Sequence, residues 1–144
     1  MGIIDFSWDH SVPIIACGDG RISNISYVAN HKSWDIDIRA GVYEVRYKEL
    51  EDYNRKLHDG MVVEKGQLLG YPCQPVNLPD GNLKHYQIHW ELASACLWKD
   101  RFCPVGYFDA DSRRRLDAIW AKTDNRFKDQ YPEICSGFYQ GREE

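Results

Sequence analysis

The sequence contains no C-x-x-C pair among its five cysteines, so a four-cysteine zinc site is not expected. It has no apolar run close to the roughly 20 residues that cross a bilayer. No basic segment precedes the apolar residues near the N-terminus, as a secretory signal would require. We therefore expect a chain that is cytoplasmic, a mature or shortened form of a longer protein, or delivered by a route the sequence does not show.

Basic residues are not in excess either. The formal net charge is -4 and the pI is about 5.7, which argues against a nucleic-acid partner. Three of the cysteines, Cys96, Cys103 and Cys135, lie in the C-terminal third. They are explained either by one loop-closing disulfide, if the protein works outside the cell, or by buried free thiols.

Short runs rich in β-branched and aromatic residues predict strands up to about residue 92. Turn signals separate them, among them Ala40-Gly41, Asp59-Gly60 and the Pro/Gly/Asn-rich stretch from Pro72 to Asn82. Because no helix pattern lies between them, we predict a single antiparallel sheet or flattened barrel. The predicted strands are VPIIAC (12–17), GRISNISYVAN (20–30), SWDIDIRAG (33–41), VYEVRYKEL (42–50) and KHYQIHWEL (84–92).

The last third of the chain has a helical pattern. Leu116, Ile119 and Trp120 recur at helical spacing, and Asp111 or Ser112 is the predicted N-cap. We predict a β domain over residues 1–107 and a helical extension over residues 108–144, packed on the same domain.

The stretch HYQIHWEL contains two histidines, His85 and His89, four residues apart. On a strand they share one face with Gln87 and Glu91, while the intervening residues form a core face. The two histidines are roughly 13 Å apart along an extended strand, so they do not easily share one ion. Taken alone, this face is either a weak metal site or an ordinary polar surface.

Two further features allow a binding role. Asp35 and Asp37 share a strand face, which is either a cation site or a solvated edge. The five tryptophans either line a groove, where they would stack on sugars, or belong to the core.

Four blocks, in order, resemble the lysostaphin/LytM-type zinc endopeptidases over most of residues 2–92. GIIDFSWDHSVPIIACGDGRISNI is similar to the family's segment H-x-G-x-D followed by G-T-P-V-x-A-x-x-D-G-x-V. VYEVRYKEL resembles Y-V-T-V-Y-A-H-L, and DGMVVEKGQLLGYP resembles G-D-x-V-x-K-G-Q-x-I-G. QIHWEL resembles H-L-H-F-E-L. The resemblance implies the LytM fold, a lipoyl-like hybrid, and it does not extend to the C-terminal 50 residues.

The resemblance also implies a site, and the sequence departs from its pattern. Asp5 and His89 match two of the family's three zinc ligands, whereas Met1 aligns with the third, a histidine. Glu49 and Gln87 stand where the family has its two catalytic histidines. Glutamine cannot titrate near neutral pH. The carboxylate of Glu49 is either a replacement ligand or a general base.

These departures lead to three alternative expectations. The first is a degenerate, catalytically impaired member of the fold that binds zinc weakly or not at all. It would bind a peptidoglycan stem or cross-bridge peptide, or a protein partner, in the cell envelope if the family role holds. The second is a working zinc endopeptidase with an altered site made of Asp5, His89, Glu49 and His85. The third is a structural component of a larger assembly.

Overall fold

The structure, a computed structural model, describes residues 3–77, 84–95, 100–122 and 141–142, with side chains for residues 4–73, 86–95 and 102–122. Within these ranges the chain forms ten strands and one α-helix. The strands are β1 (Ile3–Trp8), β2 (Ile14–Ile15), β3 (Gly20–Val28), β4 (Ser33–Ala40), β5 (Tyr43–Tyr53), β6 (Val62–Val63), β7 (Leu68–Asn77), β8 (Lys84–Ser94), β9 (Asp100–Phe102) and β10 (Gly141–Arg142). The helix is α1 (Ala110–Lys122), preceded by a short 3-10 helix (Pro104–Tyr107).

All ten strands belong to one curled antiparallel sheet, as the sequence predicts. The strand order is β10-β9-β8-β7-β5-β4-β3-β6, and β8 also pairs with β1 and β5. The predicted turn at Ala40-Gly41 joins β4 to β5, and Gly41 has a φ of 62°, which glycine adopts without steric cost. Because β8 pairs with several strands along its length, residues from β1 and β5 lie on either side of it.

The strands have one apolar face and one polar face. Along β4, Ile36 and Ile38 are buried in the core while Asp35 and Asp37 lie on the other face. The core contains the largest fully buried aliphatic side chains of the described residues, Ile22, Ile36, Leu50, Val63 and Leu69. Their burial holds the sheet in one register, because a slip of one residue would expose every one of them.

The stretch from Pro72 was predicted as a turn, and this is wrong for its first part. β7 continues to Asn77, and Pro72 pairs with Leu50 of β5. A register shift between Cys73 and Val76 interrupts the pairing of β7 with β8. Pro75 lies within this irregular stretch, and prolines in sheets occur at such bulges because a ladder hydrogen bond is already missing there.

The C-terminal helix is present, but its N-cap differs from the prediction. The Ser112 N–H donates to Asp109 Oδ1 over 2.7 Å, so Asp109, not Asp111 or Ser112, caps the helix. Leu116 is buried and Trp120 is half-buried, whereas Ile119 is exposed. The division of the chain at residue 107 stays a prediction.

Two observations bear on the environment of the protein. Cys103 is disulfide-bonded, which agrees with the first alternative for the C-terminal cysteines, while Cys17 and Cys73 are free thiols. A helix long and apolar enough to span a bilayer is not found in the described ranges.

Candidate functional site

The predicted site residues lie on the polar face of the sheet, around the middle of β8. Gln87, His89 and Glu91 alternate with the buried Ile88 and Trp90, as the period of two predicts. Side chains from β1 and β5 extend this polar face on both sides of β8, because directly paired residues project to the same face.

Two predicted metal ligands, Asp5 and His89, are in contact. They are register partners in β1 and β8, and Asp5 Oδ1 lies 2.8 Å from His89 Nδ1. The other ring nitrogen, Nε2, lies 3.1 Å from Glu91 Oε1. Each nitrogen of the imidazole thus faces a carboxylate oxygen, and an imidazole that donates to both is a cation.

The protonation of His89 follows from these contacts. Burial alone lowers its pKa, but the hydrogen bonds to Asp5 and Glu91 and the charges of both carboxylates outweigh burial and raise the pKa to about 9. Protonated His89 therefore adds to the free energy of unfolding. This contribution is complete below the ordinary pKa of 6.5 and is lost as the pH rises through about 9. The two carboxylates therefore favour the imidazolium form of His89 over the neutral ring.

Glu91 is the centre of a buried ion network that the sequence did not predict. Its side chain is only 2% exposed, and Arg46 Nη1 and Lys48 Nζ each lie 3.4 Å from one of its oxygens. Arg46 Nε also donates to Glu44 Oε1 over 3.0 Å. A buried carboxylate needs such partners to offset its loss of hydration. The available signal was the alternation of Glu44, Arg46 and Lys48 along the predicted strand VYEVRYKEL.

Glu49 and Gln87, the residues that the sequence resemblance aligns with two catalytic histidines, are hydrogen-bonded to each other. The Gln87 amide Nε2 donates to Glu49 Oε2 over 2.9 Å. Glu49 has a φ of 65°, a left-handed conformation that is uncommon for a residue with a side chain. Its own N–H donates to Asp35 Oδ1 over 3.2 Å, which helps to hold this conformation. The site therefore places a carboxylate against an amide at the two positions where the resemblance leads one to expect imidazoles.

The resemblance implies a zinc ion, and the described side chains can be tested for a set of ligands that would hold it. No group of three or more His, Cys, Asp or Glu side chains is placed to hold a metal ion in the part of the chain that the structure describes. Asp5 and His89 are two donors, whereas catalytic zinc sites use three protein ligands. The carboxylate of Glu49 accepts a hydrogen bond from Gln87 and does not join them. The described residues do not fit a catalytic zinc ion.

Asp35 and Asp37, the acidic pair on β4, are more buried than side chains on a solvated strand edge would be. Burial raises the pKa of Asp35, although the Glu49 N–H and Lys48 act in the opposite direction. Burial, followed by the charge of Glu44, raises the pKa of Asp37 to about 6. Asp37 Oδ1 is buried without a hydrogen-bond partner among the described residues. The sequence identified the shared face of the pair but not its depth.

The other histidines and the tryptophans differ in their surroundings. His10 pairs with its neighbour Asp9, and His58 is exposed. The side chain of His85 lies outside the described ones, as does Trp98. Of the other tryptophans, Trp90 is buried in the core and stands 5.6 Å from the Phe108 ring, and Trp8, Trp34 and Trp120 are half-buried.

Comparison with solved structures identifies the fold. The solution structure of lysostaphin matches with a TM-score of 0.51 and 21% identity, over 66% of this chain and 37% of lysostaphin. The hexagonal crystal structure of Helicobacter pylori Csd3 matches with a TM-score of 0.55 and 16% identity, over 97% of this chain and 40% of Csd3. The chain has the lysostaphin/LytM-type fold. The fold predicted from the four sequence blocks is confirmed.

The likeness covers part of each solved structure. No family model and no curated protein matches the sequence. The matched region of the LytM-type fold spans less than half of lysostaphin and of Csd3. The likeness concerns the fold, so function has to be argued from the site of this chain.

Proposed function

We propose that this chain is a LytM-fold domain that binds an extended cell-wall peptide on its polar face without hydrolysing it. The observation that carries the proposal is the 2.9 Å hydrogen bond between Gln87 Nε2 and Glu49 Oε2. Peptide hydrolysis needs a group that activates water and a group that stabilises the oxyanion. The Gln87 amide does not act as an acid or a base near neutral pH. The Glu49 carboxylate, the other member of the pair, already accepts a hydrogen bond from that amide.

Among the described residues, the set of metal ligands is also incomplete. Asp5 and His89 face each other as two donors, and the ring of His89 is held between Asp5 and Glu91. The arrangement therefore supports retention of the fold without its hydrolytic chemistry.

The same face retains groups that suit peptide recognition. Asp5 is 62% exposed and Lys48 is 28% exposed at their side chains, so both can contact a bound ligand. Gln87 and Glu49 are half-buried and offer an amide and a carboxylate in one place. A peptide backbone presents N–H and C=O groups that pair with such side chains. A peptidoglycan stem or cross-bridge peptide is the class of ligand we propose.

We further propose that the protein works outside the cytoplasm. The disulfide at Cys103 supports this location, since disulfides persist in oxidising compartments and are rare in the reducing cytosol. It agrees with a ligand in the cell envelope.

Co-sedimentation with insoluble peptidoglycan, followed by assay of the supernatant for newly released amino groups, tests this function. We expect the chain to sediment with the wall and to release no peptide. Glu49→Ala with Gln87→Ala should reduce sedimentation at least about tenfold, as expected when two half-buried polar contacts to the ligand are lost. Glu64→Ala, at an exposed carboxylate before β7, should leave it unchanged.

The alternative of a zinc endopeptidase is an outcome of the same assay. Release of wall peptides by the zinc-supplemented chain, and its loss in His89→Ala, would show that the protein is an enzyme. Absence of wall binding by the folded chain would also contradict the proposal and would leave the role as a structural component.

A further inference from the structure

A β-bulge lies in β5 between Tyr47 and Leu50. Both side chains are buried in the core, although residues three apart in a regular strand project to opposite faces. The register of β4 and β5 shifts at the same place, so two residues of β5 lie opposite the single residue Asp35 of β4. These two residues are Lys48 and Glu49. A bulge of this kind adds one residue to a strand and re-aims a side chain.

The bulge brings Lys48 and Glu49 to the polar face together. Lys48 is the register partner of His89, so its side chain projects to the polar face. The Glu49 carboxylate reaches the same face, where it accepts the hydrogen bond from Gln87. Neighbouring residues of a regular strand alternate between the two faces, so without the bulge the side chain of Glu49 would project towards the core. The contact between Glu49 and Gln87 therefore depends on the bulge.

Asp35 contacts the bulge from the neighbouring strand. Its Oδ1 atom accepts a hydrogen bond from the Glu49 N–H over 3.2 Å, and both residues are half-buried. A bulge interrupts the ladder of backbone hydrogen bonds, so a backbone N–H at this place needs another acceptor. Glu49 also has a φ of 65°, a conformation that a residue with a side chain keeps only when its surroundings hold it. Asp35 supplies one such contact.

We infer that Asp35 is a positioning residue of the polar face, which fixes the bulge that brings the Glu49 carboxylate to Gln87. The sequence left Asp35 as part of either a cation site or a solvated edge, and its hydrogen bond to the Glu49 backbone assigns it a different role. Its importance for ligand binding rests on the proposed function, because Glu49 and Gln87 are the groups proposed to contact the wall peptide. The positioning itself can be tested without a ligand.

A double-mutant cycle on Glu49 and Gln87, repeated in the Asp35→Ala background, tests the positioning by urea unfolding. The coupling found in the wild-type background should fall to near zero with Asp35→Ala, because the bulge relaxes. Asp35→Asn keeps an oxygen acceptor at the same place and should retain the coupling, although it removes the charge. Asp37→Asn is the matched control, since it lies on the same face of β4 but opposite Arg46 in a regular pair. It should also retain the coupling.

Sedimentation with insoluble peptidoglycan tests the link to the proposed function. Asp35→Ala should reduce sedimentation of the folded chain about five- to tenfold, the effect of one lost hydrogen bond. Asp35→Asn should sediment as the wild type does. In a chain that already carries Glu49→Ala, Asp35→Ala should cause no further loss, because a positioning residue acts through Glu49. A merely structural role would reduce sedimentation equally in both backgrounds and would contradict the inference.

The unfolding results decide the inference separately from the proposed function. A coupling between Glu49 and Gln87 that survives Asp35→Ala would overturn the inference, even if the chain binds the wall. Equal loss of coupling in Asp35→Ala and Asp35→Asn would overturn it as well, and so would a wild-type coupling near zero. Failure of wall binding alone, with a coupling that depends on Asp35, would overturn the proposed function and leave the positioning of Glu49 intact.

Hydrogen exchange of the Glu49 amide keeps the inference testable should Asp35→Ala not fold. The amide should exchange slowly in the wild type and in Asp35→Asn, because its N–H donates to the Oδ1 atom of residue 35 in both. Exchange as fast as that of an unprotected amide in the wild type would overturn the inference.

Discussion

The side-chain amide of Gln87 on β8 donates to the carboxylate of Glu49 on β5 over 2.9 Å. The contact joins two strands on the polar face of the sheet. Glu49 reaches it from a left-handed backbone conformation, with a φ of 65°. This conformation costs on the order of 1 kcal/mol in a residue with a side chain. We infer that the contact between Glu49 and Gln87 helps to hold it.

A double-mutant cycle on this pair is the first prediction. Glu49→Ala and Gln87→Ala should each lower the free energy of unfolding, and the coupling energy should be about 0.5–1.5 kcal/mol, the usual net value of one hydrogen bond. Urea unfolding of the wild type, both single variants and the double variant gives the value. A coupling energy near zero would mean that the two side chains do not interact in solution.

Removal of the Glu91 carboxylate should lower the free energy of unfolding more than loss of the Glu49–Gln87 hydrogen bond does. Glu91→Ala leaves Arg46, Lys48 and His89 without their shared partner. We expect a loss of about 3–5 kcal/mol, the range for breaking a buried ion pair by deleting one partner. Chemical denaturation monitored by tryptophan fluorescence measures it.

The control for Glu91 is an ion pair of the same kind on the surface. Asp111 pairs with Arg114 over 2.8 Å on the exposed side of α1. Asp111→Ala should cost less than about 1 kcal/mol, as exposed pairs generally do. Equal losses for Glu91→Ala and Asp111→Ala would contradict a buried network at the site.

Local patterns were sufficient to predict most of the sheet. The strands β3, β4, β5 and β8 follow from alternation and from turn residues such as Gly41, because these features act over a few residues. β7 was missed because Pro72 is typical of turns, and its place in a bulged strand depends on pairing with β5 and β8. Such pairing is set by residues far away in the sequence.

The same contrast between local patterns and long-range pairing applies to the candidate site. Alternation predicts that His89 and Glu91 share a face, and it does the same for Arg46 and Lys48. It does not predict which strand lies next to which, so the ion network around Glu91 was not visible. Only the register of β1, β8 and β5 places these charges together.

Substitution of Gly70 tests how closely β7 approaches β5. A Cβ built at this position would lie 2.3 Å from the Asp52 backbone oxygen and 2.9 Å from Tyr53 Cα. Gly70→Ala should therefore cost about 1–3 kcal/mol in unfolding free energy, since backbone atoms must move apart. Gly18→Ala meets nothing within 4 Å and should be close to neutral. Similar melting temperatures for both variants would show that β7 does not approach β5 as closely as described.

Asp37 carries an energetic cost at neutral pH. Burial is the largest cause of its raised pKa of about 6, and the neighbouring charge of Glu44 adds to it. Its Oδ1 atom is buried without a partner among the described residues, while Oδ2 accepts a hydrogen bond from Asn24 over 3.4 Å. Folding therefore favours the protonated form of this carboxyl group over the ionised form.

The sign of the pH dependence follows from this preference. The contribution of Asp37 to stability is fully present below its ordinary pKa of 3.8 and is lost as the pH rises through about 6. Asp37→Asn removes the ionisation, so it should raise the free energy of unfolding at pH 7 by on the order of 1–3 kcal/mol relative to the wild type. The gain should shrink towards pH 4, because the wild-type carboxyl group is then largely protonated. Urea unfolding of both proteins between pH 4 and pH 8 measures the difference. A difference that does not vary with pH would show that Asp37 titrates normally and that its environment is not buried.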